Sequence, residues 1–168
     1  PHRHGVLSWQ DRVPELPDLL NLDGYRSAFY QAGADAESDG IFDVLDIERK
    51  RSLDSLLSGE DGWVYFERHQ GGHVPFKPWS DFDGKFADVV NEYAGNASAH
   101  RRDYAAAIDG AADDFERRMA ELERAGKRDD TLVVFASDHG EYLGEDGFVG
   151  HSSPLRPEGV YVPTVFLH

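Results

Sequence analysis

The chain has 168 residues, enough for one domain of ordinary size and too few for two. A content of 40% hydrophobic and 12% aromatic residues excludes a disordered chain, a collagen and a simple heptad rod. Asp and Glu total 32 against 17 Lys and Arg, and the resulting net charge of -15 repels nucleic acid phosphates and anionic lipid headgroups. Asp (20) outnumbers Glu (12) and Arg (13) outnumbers Lys (4), a balance read as a hydrated, salt-adapted surface. A soluble protein of a high-salt cytoplasm is the expectation, with an extracellular one as the alternative. Cysteine is absent, so disulfides, thiolate ligands and a cysteine nucleophile are excluded within these residues. No apolar run approaches the roughly 20 residues of a membrane helix, and residues 1–10 lack the apolar stretch of a signal peptide. The chain starts with Pro and ends inside an apolar run, so both ends read as cut.

In chain order, Leu16, Leu19, Leu20 and Leu22 recur at helical spacing up to the stop pair Asp23-Gly24, which predicts a short helix. The aromatic run 25–30 predicts a strand, followed by a loop over 33–40. Residues 41–57 carry Leu45, Ile47, Leu53, Leu56 and Leu57 among charges and read as one amphipathic helix, with Arg49-Lys50-Arg51 a solvated patch. The run Trp63-Val64-Tyr65-Phe66 suits a strand buried on both faces. From there to Asn96, Gly, Pro and aromatics predict a long loop with short helical pieces. Asn96-Ala97-Ser98 matches the glycosylation pattern, which is too short to carry weight.

The clearest helix is 102–125, where Tyr104, Ile108, Ala112, Phe115, Met119 and Leu122 form one apolar stripe ended by Gly126. Residues 131–136 are six without polar alternation, the pattern of a central parallel strand covered on both sides. Residues 160–167 form a last apolar strand, limited by Pro163. Strands alternating with helices make the class α/β, and the length fits a single domain.

Ligands in open α/β sheets bind beyond the carboxyl ends of strands. Asp138 and His139 follow the best strand, and Gly140 lets the backbone turn so that both reach one ion. A carboxylate with an imidazole suits zinc, manganese or iron better than calcium. His73, after Gly71-Gly72 and before Pro75, sits in the loop beyond Trp63-Val64-Tyr65-Phe66, and His151 closes the glycine-rich stretch after 139. A histidine near neutral pH can protonate a leaving oxygen or offset developing negative charge, which sulfate and phosphate ester hydrolysis both require. Glu141 and Glu145 read as structural or solvated.

The run 131–148, TLVVFASDHGEYLGEDGF, with Gly150-His151 and Val162-Pro163, resembles the metal-binding segment of the sulfatase branch of the alkaline phosphatase superfamily. Gly72-His73-Val74-Pro75-Phe76 is similar to that family's His-x-Pro loop, Pro1-His2-Arg3-His4-Gly5-Val6 to the stretch just beyond its nucleophile, and the helix and strand over 16–30 to those that follow. The resemblance implies an alkaline-phosphatase-like doubly wound sheet, incomplete here, with 1–168 a single partial sulfatase-like catalytic domain. It implies a divalent metal ion (manganese, zinc or calcium) on Asp138 and His139. His73 would contact the sulfate or phosphate or its leaving group, and His151 would neutralise the anion.

The family's first metal-binding aspartate and its nucleophile are both missing from these residues and are expected before Pro1. Ser152-Ser153-Pro154-Leu155-Arg156 follows the metal strand instead of preceding it and reads as loop. The function expected is metal-dependent hydrolysis of sulfate, phosphate or phosphonate esters, small or glycan-borne, by the complete protein. The alternatives are a catalytically inactive metal- or anion-binding module, and a phosphoryl-headgroup transferase or mutase on the same fold.

Overall fold

The computed structural model describes residues 16–31, 48–49, 53–69, 71–76, 86–151 and 155–168. The chain divides into two compact units, Pro1–Arg68 and His69–His168.

In the first unit, α1 (Leu16–Leu22) ends as expected at Gly24, whose φ of 83° lets the chain reverse and the Tyr25 N–H return to Leu20 O. The strand β1 (Arg26–Gln31) follows. It is the middle strand of a sheet in which β2 (Glu48–Arg49) and β3 (Trp63–Arg68) both pair with it in parallel, Ala28 opposite Glu48 and Tyr65. Parallel pairing needs crossover connections, which is what makes this unit α/β. The single helix expected over 41–57 is not formed. Glu48–Arg49 belongs to the sheet, and among the described residues of this stretch the helical ones are α2 (Asp54–Leu57), while residues 41–47 and 50–52 lie outside the described ones. The leucines nevertheless do what their spacing promised, because Leu53, Leu56 and Leu57 are buried with Ala28. Arg26 ties the two elements together: its guanidinium donates to Ser55 O at 3.0 Å and Leu56 O at 2.6 Å, carbonyls at the end of α2. Burial of β3 on both faces is not found within its unit, since Phe66 is 58% exposed although its ring stacks on Phe29 at 5.1 Å.

The second unit begins with the loop over His69 and 71–76. Gly71 lies so close to α4 (Ala97–Arg124) that a Cβ there would stand 2.9 Å from Ala107 O and 2.6 Å from Ala111 Cβ. The stretch before Asn96 is more regular than expected: α3 (Phe86–Ala94) turns Val89 and Tyr93, four residues apart, into a buried core with Val74. The helix α4 begins five residues before the sequence estimate because Asn96 caps it, its side-chain oxygen accepting from the Ala99 N–H at 3.1 Å. The Asn-Ala-Ser triplet is thus a helix start. Phe76 has a left-handed φ of 64°, a conformation that costs a non-glycine residue about 1–3 kcal/mol. Ring contacts with Tyr93, His100 and Tyr104, at 5.6, 5.3 and 5.7 Å, hold it there.

After α4 the chain enters β4 (Val133–Ala136), which pairs antiparallel with β7 (Thr164–Leu167), Phe135 opposite Val165. This corrects the expectation of a central parallel strand covered on both sides. Within its unit β4 has one strand partner among the described residues, and Val134 and Phe135 are 52% and 42% exposed, with the Phe115 ring of α4 against Phe135 at 5.5 Å. Between these strands lie β5 (Tyr142–Leu143) and β6 (Val149–Gly150), an antiparallel hairpin closed by a 3-10 turn at Glu145–Gly147, and the short α5 (Pro157–Val160). No described helix is long and apolar enough to cross a membrane.

Candidate active site

The hairpin register explains how residues far apart in sequence meet. Tyr142 pairs with Gly150, so the next antiparallel step outward sets Glu141 opposite His151. Gly140, immediately before, comes against α5: its N–H donates to Gly159 O at 3.0 Å, and a Cβ there would stand 1.9 Å from Glu158 O. The glycine is required for close approach of two backbones, a different reason from the freedom to turn inferred from sequence.

Three histidines converge on this hairpin end. The rings of His139 and His151 lie 4.3 Å apart, and those of His73 and His151 4.9 Å apart. Each of the two flanking rings is oriented by its own backbone. The His139 Nδ1–H donates to Gly140 O at 2.9 Å and the His73 Nδ1–H to Val74 O, which leaves both Nε2 atoms facing outward from those anchors. The His151 Nδ1–H faces Glu141 Oε2 at 3.4 Å. Asp138 is placed differently from this trio: its side chain is 67% exposed, its Oδ1 accepts from the His139 N–H at 3.1 Å, and the same oxygen lies 3.8 Å from His139 Nε2.

Glu141 is the residue the sequence reading set aside. Its side chain is 4% exposed, and its Oε1 is fully buried without a hydrogen-bond partner among the described residues. Burial raises its pKa above the ordinary carboxylate value, while His73, His139 and a hydrogen bond from the Val74 backbone pull it back. Burial, then the neighbouring His139, holds the His151 pKa below the usual imidazole value, against the opposing pull of Asp138. A signal for Glu141 was present in the pattern of two short apolar pairs around a Glu-Asp-Gly turn, which is a hairpin that must place 141 and 151 side by side. Glu145 proves structural, accepting from the Leu143 N–H at 2.6 Å and pairing with Arg101 at 3.2 Å.

A sequence profile described as Sulfatase matches residues 68–167, more than half of the chain. The chain belongs to the sulfatase family. Over 180 aligned positions it is 29% identical to the low-salt glycan biosynthesis sulfotransferase Agl7 of Haloferax volcanii, an alignment that covers 99% of this chain. The chain spans 42% of that relative's length. No solved structure matches. Sulfatases generally depend on a metal, and the residues here fit one. An imidazole with its Nδ1–H already committed and a carboxylate beside it are donors of the right kind.

Proposed function

We propose that the protein to which this chain belongs carries out in-line displacement at the sulfur of a sulfate ester borne on a carbohydrate. The observation that carries the proposal is the packing of His73, His139 and His151 at one hairpin end, with Asp138 beside His139, in a sulfatase-family chain. Asp138 and His139 hold the divalent ion, manganese, zinc or calcium, which when bound supplies positive charge to the non-bridging oxygens. His73 and His151 face the sulfuryl group. The anion itself favours their charged forms, so that they add positive charge as it develops in the transition state, and one of them protonates the leaving alkoxide. The nucleophile is supplied from outside residues 1–168, which form part of one catalytic domain with an alkaline-phosphatase-like doubly wound sheet. The parallel pairing of β1 with β2 and β3 supports that fold.

A second reading, transfer of the sulfuryl group to a glycan hydroxyl in place of water, is favoured by the name of the Haloferax volcanii relative. The acidic surface and the salt-loving source of that relative agree with a high-salt setting. The test uses the full-length protein with a sulfated glycan, measuring free sulfate and sulfated acceptor in the same reaction. His73→Ala and His151→Ala are each expected to lower kcat/KM by about 10²- to 10⁴-fold. Activity in both variants equal to the parent's would overturn the proposal. Free sulfate as the product supports hydrolysis, and a sulfated acceptor supports transfer.

A further inference from the structure

Nothing in the sulfuryl chemistry proposed above uses Glu141, yet this is the most deeply buried acid at the site and one of its oxygens has no partner among the described residues. A buried carboxylate oxygen left without a donor is costly, and such a group is stabilised by a proton or a cation. The two residues that share its surroundings decide which cation would suit it. One donor atom each from His139, Glu141 and His151 can be chosen so that all three lie within 4.8 Å of one another.

We propose that His139, Glu141 and His151 form a second binding site, for a zinc-type transition-metal ion, that shares His139 with the Asp138–His139 pair. Two imidazoles and one carboxylate are one of the donor sets of catalytic zinc sites, whereas calcium and magnesium prefer oxygen alone. The distances agree with the size of that ion. A tetrahedron with bonds of about 2.1 Å has edges of about 3.4 Å, and His151 Nδ1 stands 3.4 Å from Glu141 Oε2. That separation is long for an N–H···O hydrogen bond, whose ordinary range ends near 3.2 Å, and right for two atoms sharing a metal. The widest separation in the trio, up to 4.8 Å, closes through a small shift of the His151 side chain, which is about one-third exposed. His139 is already set for the task, because its Nδ1–H is held by Gly140 O and its Nε2 is therefore the atom with the lone pair. The ion would take the place of the proton between His151 Nδ1 and Glu141 Oε2 and set a cation against the buried carboxylate.

Occupancy has a consequence that rests on the proposed function. An ion held here takes His139 from the Asp138 pair and His151 from the sulfuryl group, so zinc at this site inhibits sulfuryl transfer while an oxygen-preferring ion does not compete for it.

The experiment is calorimetric titration of the 168-residue chain with zinc chloride, and of the same chain with cobalt(II) followed by its visible absorption. Parent, Glu141→Gln, His151→Ala and Asp138→Ala are compared, with circular dichroism as the check on folding. One ion per chain is expected, with Glu141→Gln and His151→Ala each weakening affinity about tenfold or more and Asp138→Ala leaving it within about threefold. Should Glu141→Gln fail to fold, the exposed His151 decides through its own variant. No binding, binding indifferent to His151→Ala, or binding lost in Asp138→Ala overturns the site. Zinc binding of the expected pattern alongside fully active His73→Ala and His151→Ala enzymes would uphold this site while removing the proposed function.

Discussion

Replacing Gly140 by Ala asks whether the site is built by close contact between the residue after His139 and α5. The added Cβ would stand 1.9 Å from Glu158 O, a backbone atom that cannot rotate away. Reaching even 3.0 Å requires the two segments to part by about 1.1 Å. That movement breaks the 3.0 Å hydrogen bond from the Gly140 N–H to Gly159 O, worth about 0.5–1.5 kcal/mol, in addition to an overpacking cost of about 1–3 kcal/mol. The sum is a loss of about 1.5–4.5 kcal/mol, read as a lower urea midpoint at unchanged slope. Gly110 is the matched control. It lies within α4, and a Cβ there meets nothing within 4 Å. Gly110→Ala is therefore expected to stabilise by about 0.5–1 kcal/mol through helix propensity. Opposite signs at the two glycines support the packing described here. A Gly140→Ala midpoint equal to the parent's would refute the contact.

Asn96→Ala removes the cap of α4 and is expected to cost about 1 kcal/mol, measured by urea unfolding; no change would return Asn96 to the role of an ordinary loop residue. His100 is fully buried with neither ring nitrogen hydrogen-bonded among the described residues, and its ring stacks on Tyr93 at 4.5 Å. Burial lowers its pKa below 6.5, so the unfolded chain takes up the proton first and its contribution to stability falls as pH drops below about 6.5. His100→Phe keeps the stacking and is expected to flatten that loss over about pH 7 to 5 in urea midpoints; an unchanged slope would count against a neutral buried His100. Arg26→Met removes two hydrogen bonds to the end of α2 and is expected to cost about 1–3 kcal/mol in the same assay, where a neutral result would show the staple to be idle.

Local chemistry was legible in the sequence where it was dictated by neighbours a few residues away. The Leu16 to Leu22 spacing, the Gly24 stop and the apolar stripe from Tyr104 to Leu122 all correspond to the helices found. Partnership was not legible. The run 131–136 showed an apolar strand, but the identity and direction of its neighbour depend on chain returning from Thr164–Leu167, about 30 residues later. Glu48–Arg49 was absorbed into a helix because charged residues carry no strand signature of their own, and their conformation is set by pairing with Ala28 and Phe29. The helix Phe86–Ala94 was hidden by the glycines, prolines and aromatics around it, although Val89 and Tyr93 have the spacing of one buried face. At the site, His73, His139 and His151 were visible as strand-end residues, whereas Glu141 required the hairpin register to be known.

The proposed sulfuryl chemistry requires those three histidines to meet. In the 168-residue chain with selectively labelled histidine, nuclear Overhauser effects between the ring protons of His139 and His151, and of His73 and His151, are expected from centroid distances of 4.3 and 4.9 Å. Effects between neither pair, in a chain that shows the His100–Tyr93 stack, would contradict the site and the chemistry built upon it.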